Sequence, residues 1–156
     1  MPKITTFLTF DTQAEDAANF YTSVFKNSKI VSTARYGDAG PGPKGSLMTA
    51  TISLDGQELM LLNGGPTFRF SEATSLFVTC ETQAEVDDYW SKLTAGGKEV
   101  QCGWLVDKFG VSWQIIPSAL GELLSDKDAR KAGRVMQAML KMVKIDIEGL
   151  RRAAEG

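Results

Sequence analysis

The sequence has no histidine among its 156 residues. Histidine is the most versatile general base near neutral pH and the commonest metal-binding side chain. Its absence excludes Ser-His-Asp and Cys-His catalysis within this chain. It equally excludes zinc or iron sites that depend on imidazole ligands.

Cysteine is nearly as scarce, because only Cys80 and Cys102 are present. Two cysteines are too few for a disulfide scaffold, so we expect the protein to reside in the reducing cytoplasm. The two thiols are either a redox pair or inert structural residues. Neither has a basic sequence neighbour that would activate it, which favours the structural interpretation.

The chain also lacks a basic excess and a long apolar run. It carries 17 Lys and Arg against 19 Asp and Glu, a net charge of −2. A nucleic-acid-binding surface normally needs a positive excess, and a membrane span needs roughly 18 apolar residues. The first residues do not follow a signal-peptide pattern. We therefore expect a cytoplasmic protein without nucleic-acid or membrane partners.

What the sequence does contain is a repeat. Residues 7–15 read FLTFDTQAE and residues 77–85 read FVTCETQAE, with six of nine positions identical at an offset of 70. Such a repeat predicts two copies of one supersecondary unit. Each copy opens with a strand, at residues 3–10 in the first copy. Alternation along the strands puts Thr5, Phe7 and Thr9 on one face, and Ser75, Phe77 and Thr79 on the corresponding face.

The TQAE half of the repeat is better explained by helix capping than by a catalytic signature. Thr12-x-x-Glu15 and Thr82-x-x-Glu85 both fit the capping box. The helices that follow have apolar residues at helical spacing. In the first helix these are Ala14, Ala17, Ala18, Tyr21, Val24 and Phe25, and in the second Val86, Tyr89, Trp90 and Leu93. Gly96-Gly97 ends the second helix.

Three strands follow each helix. They are predicted at residues 28–36, 46–54 and 58–62, then at residues 99–104, 105–108 and 111–116, with turns at Asp55-Gly56 and Phe109-Gly110. The predicted fold is α+β: two tandem βαβββ modules, residues 1–66 and 74–117, form a curved sheet around a cleft.

Residues 118–156 are predicted to be a helical tail. Ser125-x-x-Asp128 resembles another helix cap. Met136, Leu140, Val143, Ile147 and Leu150 form an apolar stripe. The tail is a lid, a partner-binding arm or a dimer element, and its stripe packs on the domain or on a twin subunit. We expect a homodimer, because twofold dimers are the commonest oligomers.

The tandem βαβββ pattern resembles the vicinal oxygen chelate superfamily of glyoxalases, bleomycin-resistance proteins and dioxygenases. Within it, several segments are similar to the PhnB-like branch, which often carries the label 3-demethylubiquinone-9 3-methyltransferase. These segments are FDTQAEDAANFY, YGDAGPGPKGS, LNGGPTFRF, YWSKLTAGG, CGWLVDKFGVSWQIIP and RVMQAML. The glycine clusters fall between predicted strands, whereas a Rossmann-type cofactor site needs them between a strand and a helix. The motifs therefore do not support the methyltransferase label.

The resemblance also implies where a metal would bind. In the superfamily, the first strand and the last strand of each module supply one metal ligand each. The corresponding positions in this sequence are Thr5, Met60, Ser75 and Gln114. None is a histidine or a carboxylate, and hydroxyl, thioether and amide groups are poor ligands for such ions. We therefore predict no metal and no cofactor.

Three functions remain open. The first is metal-independent binding of a small apolar or aromatic metabolite by stacking and hydroxyl hydrogen bonds. Its cleft would contain Thr5, Phe7, Thr9, Met60, Ser75, Phe77, Thr79 and Gln114. The two phenylalanines are alternatively core residues between the modules. The second function is a small-molecule enzyme with Glu58 as acid–base group. The third is a structural, dimeric partner module.

Overall fold

A computed structural model describes residues 3–156. The chain divides into two compact units, and the boundary falls between Arg69 and Phe70. Unit 1 contains β1 (Thr6–Phe10), α1 (Ala14–Val24), β2 (Ser28–Arg35), β3 (Leu47–Leu54) and β4 (Gln57–Asn63). Unit 2 contains β5 (Ser75–Cys80), α2 (Gln83–Thr94), β6 (Lys98–Glu99), β7 (Trp104–Val106), β8 (Ser112–Pro117), α3 (Ser118–Leu124), α4 (Ala129–Leu140) and α5 (Ile147–Glu155). Within residues 3–156, no helix has the length and apolar character needed to span a bilayer.

Each unit contains a four-stranded mixed sheet of the predicted βαβββ kind. The strand orders are β1-β4-β3-β2 in unit 1 and β5-β8-β7-β6 in unit 2. The first strand of each module pairs in parallel with its last strand, and the other pairs are antiparallel. The predicted α+β class and tandem modules are confirmed. The cleft, which would need both modules, stays a prediction.

The predicted helix stripes form the core of each unit. In α1, the six apolar residues predicted from Ala14 to Phe25 are all buried. In α2, Val86, Trp90 and Leu93 are buried, and Tyr89 is half-buried. At the β3–β4 hairpin, Asp55 and Gly56 both have left-handed backbone angles, φ +48° and +90°. This is the geometry that an Asp-Gly hairpin turn requires.

Only one of the two predicted capping boxes forms. Thr82 Oγ1 accepts a hydrogen bond from the Glu85 amide at 3.1 Å, and the Glu85 carboxylate accepts one from the Glu81 amide at 2.7 Å. In unit 1 the prediction is wrong, because α1 begins at Ala14 without a side-chain cap from Thr12. The Ala14 amide instead donates to Asn63 Oδ1 at 2.8 Å. A partner 49 residues away is invisible to a local motif.

The predicted strand at 99–104 is also wrong. In this region the strands are Lys98–Glu99 and Trp104–Val106, and the residues between them form a turn. Cys102 and Gly103 have left-handed backbone angles, φ +60° and +82°, which interrupt an extended chain. Their amides donate to the carbonyls of Met142 and Val143 in the tail.

The tail does not form the predicted single stripe. It is divided into three helices, and Val143 lies between the last two, where its carbonyl accepts a hydrogen bond from the Gly103 amide. Met136 and Leu140 are exposed, not buried. Ile147 and Leu150 are buried, as predicted. Leu150 forms the core of the tail together with Leu120, Val135, Ile145 and Ala154, packed with Ile116 of β8. Asp128, rather than Ser125, caps α4 by accepting from the Arg130 amide.

A buried carboxylate stabilises the turn between β7 and β8. Asp107 is only 3% exposed. Its Oδ1 accepts hydrogen bonds from the Phe109 and Val111 amides at 2.9 and 3.0 Å, and its Oδ2 accepts one from Trp113 Nε1 at 2.8 Å. The carboxylate therefore satisfies three donors that the fold has removed from water.

Replacing Asp107 with alanine should strongly destabilise the protein. Three donors would lose their acceptor, and an unsatisfied buried donor costs roughly 1–3 kcal/mol. We expect Asp107→Ala to lower the free energy of unfolding in urea by about 3 kcal/mol or more. The exposed Asp38→Ala is the matched control and should change it by less than about 0.5 kcal/mol. A loss below about 1 kcal/mol for Asp107→Ala would contradict this role of the carboxylate.

Candidate functional site

One face of the unit 1 sheet is covered by α1, and the other face is open. On β1, Leu8 and Phe10 point to the core and are 8% and 2% exposed, whereas Phe7 is 49% exposed. The alternation predicted from sequence therefore holds for β1. Thr5 directly precedes the strand and is half-buried, as is Thr9.

Pairing brings Phe7 next to a flexible apolar side chain. Phe7 is in register with Met60 on the parallel strand β4, and Met60 is in register with Thr51 on β3. Paired residues share a face, so the open face carries a row of aromatic, thioether and hydroxyl groups. Met60 and Thr51 are half-buried. This row offers contact surface to a small molecule within unit 1.

A second aromatic residue approaches the same corner of unit 1. A Cβ atom on Gly64 would lie 2.7 Å from the Thr9 methyl carbon and 3.2 Å from Phe68 Cε2. Any other residue at position 64 would have to displace the Thr9 side chain, and Thr9 and Phe68 flank this position. Phe68 is 54% exposed. The sequence reasoning did not place Phe68 in the site, although the GGPTF segment, in which it follows two glycines, was a usable signal.

Unit 2 repeats this arrangement with different chemistry. Phe77, 59% exposed on β5, is in register with Gln114 on β8. Gln114 is in register with Trp104 on β7, and it donates from Nε2 to Ser75 Oγ at 3.0 Å. Thr79 is exposed on the same strand as Phe77. The row is therefore Phe77, Gln114 and Trp104.

The sequence pattern did not indicate Trp104 as a ligand contact, because it predicted this residue at the end of a strand at 99–104. In the structure it begins β7 and is half-buried. Its register with Gln114 puts it on the open face. The signal that could have revealed it is the alternation of Trp104, Leu105 and Val106, in which Leu105 is fully buried.

The four positions implied for a metal are divided between the units. Thr5 and Met60 lie in unit 1, and Ser75 and Gln114 lie in unit 2. In unit 2 the Gln114 amide already binds the Ser75 hydroxyl. Two hydroxyls, a thioether and an amide do not suit a divalent metal ion of the glyoxalase type. Across residues 3–156, no three His, Cys, Asp or Glu side chains are grouped as metal ligands. The donor set does not fit the metal.

Glu58, the candidate acid–base residue, lies on β4 two residues before Met60. It is half-buried and in register with Ser53 of β3. Because residues two apart on a strand share a face, Glu58 lies on the same open face as Met60. Its catalytic role stays a prediction.

Three cationic side chains make contacts within their own unit. Arg35 forms an ion pair with Glu15 at 2.7 Å and donates to the Gly45 carbonyl. Arg69 donates to the Pro66 and Phe68 carbonyls. Lys108 Nζ lies 5.4 Å from the centre of the Phe109 ring.

The two cysteines are free thiols in different surroundings. Cys80 is fully buried, and Cys102 is partly exposed. Burial raises the pKa of Cys80 from its ordinary value of 9.0 to about 12, and the carboxylates of Glu85 and Glu81 add to the shift. A thiol that stays protonated at neutral pH is a poor nucleophile.

The Cys80 thiol makes stability depend on alkaline pH. Because its pKa is higher in the folded state, the neutral thiol contributes stability that is fully present below pH 9. That contribution falls as the pH rises from 9 towards 12. We expect the unfolding free energy of the wild type, relative to Cys80→Ala, to fall by up to about 1 kcal/mol per pH unit in this window.

The measurement is denaturant unfolding at several pH values between 8 and 11 under reducing conditions. Cys102→Ala is the matched control and should keep the pH dependence of the wild type. If the unfolding free energies of wild type and Cys80→Ala changed with pH in the same way, burial would not raise the pKa of the Cys80 thiol.

Comparison with known proteins adds to this geometry. The sequence profile of the family described as 3-demethylubiquinone-9 3-methyltransferase matches residues 2–116. A PhnB protein of known structure from Bacillus cereus, described with the same methyltransferase name, is 45% identical with a TM-score of 0.70. The alignment covers 75% of this chain and 100% of that protein. No curated protein matches the sequence.

Two more distant structures share the fold. Protein PA1353 from Pseudomonas aeruginosa is 20% identical with a TM-score of 0.63, covering 75% of this chain and 98% of that one. The fosfomycin resistance protein FosX from Listeria monocytogenes, solved with Mn(II) and sulfate, is 13% identical with a TM-score of 0.52. That alignment covers 75% of this chain and 91% of FosX. The family match ends at residue 116, before the three tail helices.

Proposed function

The chain belongs to the PhnB-like family described as 3-demethylubiquinone-9 3-methyltransferase, with a glyoxalase-like fold, and from that premise we propose that it binds a small apolar or aromatic molecule without a metal ion. The observation that carries the proposal is the row Phe77, Gln114 and Trp104 on the open face of the unit 2 sheet.

The exposed phenylalanines support a binding role. Phe7 and Phe77 occupy equivalent positions of the repeat and are 49% and 59% exposed, whereas Phe10 of β1 and Trp113 of β8 are almost fully buried. Exposing a large aromatic ring to water forgoes the free energy that its burial would supply. An aromatic ligand stacked on such a ring recovers part of that free energy.

The neighbours of each phenylalanine suit a neutral ligand. Met60 and Thr51 supply a polarizable thioether and a hydroxyl in unit 1. Gln114 and Ser75 supply an amide and a hydroxyl in unit 2, 3.0 Å apart. Such groups orient a ligand by hydrogen bonds without requiring that it carry a charge.

The methyltransferase named in the family description does not follow from these residues. A Rossmann-type cofactor site needs a glycine-rich turn from a strand into a helix. In this chain the connections from strand to helix, residues 11–13 and 81–82, contain no glycine. The two glycine clusters connect β2 to β3 and follow β4 instead. We therefore propose binding rather than methyl transfer through such a cofactor.

The neutral aromatic dye N-phenyl-1-naphthylamine provides a direct test, because its emission rises in apolar surroundings and it accepts energy from tryptophan. We expect saturable dye binding with a fall in tryptophan emission. Phe77→Ala should weaken binding about fivefold, as expected for a lost aromatic contact of about 1 kcal/mol. Trp104→Phe should keep the affinity but remove much of the energy transfer.

The matched control is Leu140→Ala. Leu140 is an exposed apolar residue of α4, at 57% exposure, and it is remote in sequence from both sheets. The substitution Leu140→Ala should leave the affinity for the dye unchanged. Equal affinity of wild type, Phe7→Ala and Phe77→Ala would contradict binding on these faces.

A further inference from the structure

A pocket in unit 1 is separate from the rows of the open face. It has a volume of about 380 Å³, within the range of small-molecule sites. It lies where the parallel strands β1 and β4 end, and the glycine- and proline-rich segment 37–45 forms its outer wall. Neither Phe7 nor Met60 lines it.

The walls of the pocket are held by hydrogen bonds within the chain. The Tyr36 hydroxyl donates to the Asn63 carbonyl at 2.6 Å, and the Asn63 side chain links the Ala14 amide to the Leu47 carbonyl. The Tyr36 backbone pairs with Ser46 and Gly45 on the far side of the loop. The pocket is therefore built before any ligand arrives.

Two glycines allow the loop to close over Tyr36. A Cβ atom on Gly40 or on Gly42 would lie 2.4 Å from a ring carbon of Tyr36, so any other residue there must displace the loop or the ring. Pro41 and Pro43 stand beside these glycines and line the pocket with Leu47. These side chains give the pocket apolar walls.

The polar groups of the pocket favour a cation. Asp11 is its charged lining residue, and Thr12 and Ser46 add hydroxyl oxygens. A helix N-terminus would ordinarily attract an anion. Here the first α1 amide is bound by Asn63, and the first turn carries Glu15 and Asp16.

The cations of this region are already paired. Arg35 pairs with Glu15 at 2.7 Å, and Lys44 pairs with Asp38 at 3.1 Å. Neither lines the pocket. A positively charged ligand would therefore meet the Asp11 carboxylate without facing a lysine or arginine on the wall.

We propose that this pocket binds a small organic cation, with an apolar body between Pro41, Pro43 and Leu47 and a primary ammonium group at Asp11. The ammonium group would donate to the carboxylate and to the neighbouring hydroxyl oxygens. This site does not depend on the proposed binding of a neutral ligand on the open sheet faces.

The experiment titrates isotope-labelled protein with benzylamine, benzyl alcohol and benzoate, which share a ring and differ in charge, at pH 7. Amide signals of Thr12, Gly42 and Ser46 report binding by NMR. We expect benzylamine to bind about fivefold more tightly than benzyl alcohol, with benzoate weakest. Asp11→Asn should remove that preference.

Asp38→Asn is the matched control, because Asp38 is a carboxylate on the segment 37–45 that forms the outer wall but does not itself line the pocket. It should retain the preference for benzylamine. Gly42→Ala, which displaces the loop, should weaken both benzylamine and benzyl alcohol. The proposal is overturned if the three probes bind equally, if Asp11→Asn keeps the preference, or if the shifts map away from residues 11–12, 36–47 and 63–65.

Discussion

The parallel pairing of the first strand with the last strand of each module is the constraint on which the rest depends. It pairs β1 with β4 and β5 with β8, so residues about 50 and 40 positions apart in sequence become neighbours. The pairing sets Phe7 beside Met60 and Phe77 beside Gln114. It also brings Asn63 to the start of α1, where its side chain replaces the missing local cap. This parallel pairing thus determines the open face in each unit, and in unit 1 it also determines the start of α1 and the position of the pocket.

The sequence predicted the features that depend on neighbouring residues. The helix stripes, the Asp55-Gly56 turn, the Thr82 capping box and the alternation of Phe7 with Leu8 all follow from local periodicity and turn chemistry. The fold class followed from the repeat together with the resemblance to known proteins. The positions of the candidate site residues on their strands were accessible for the same reason, because alternation assigns them to a face.

The features that the sequence did not reveal depend on distant partners. Thr12 does not cap α1, because Asn63 from β4 occupies that role. Residues 100–103 do not extend as a strand, because Cys102 and Gly103 donate to the tail. The predicted tail stripe spans two separate helices: Met136 and Leu140 of α4 are exposed, whereas Ile147 and Leu150 of α5 are buried. The pocket beside Tyr36 needs a loop, two strands and a helix at once, and no periodicity describes such a combination.

Binding of a neutral aromatic molecule on the open sheet faces, without a metal ion, can be measured directly by NMR. The protein, with isotope-labelled methionine methyl groups and glutamine side-chain amides, is titrated with naphthalene in EDTA and again with added Zn²⁺. We predict saturable shifts of the Gln114 side-chain amide or the Met60 methyl signal in EDTA, with Zn²⁺ leaving them unchanged. Shifts that appear only after Zn²⁺ is added, or none at either residue under either condition, would contradict the proposal.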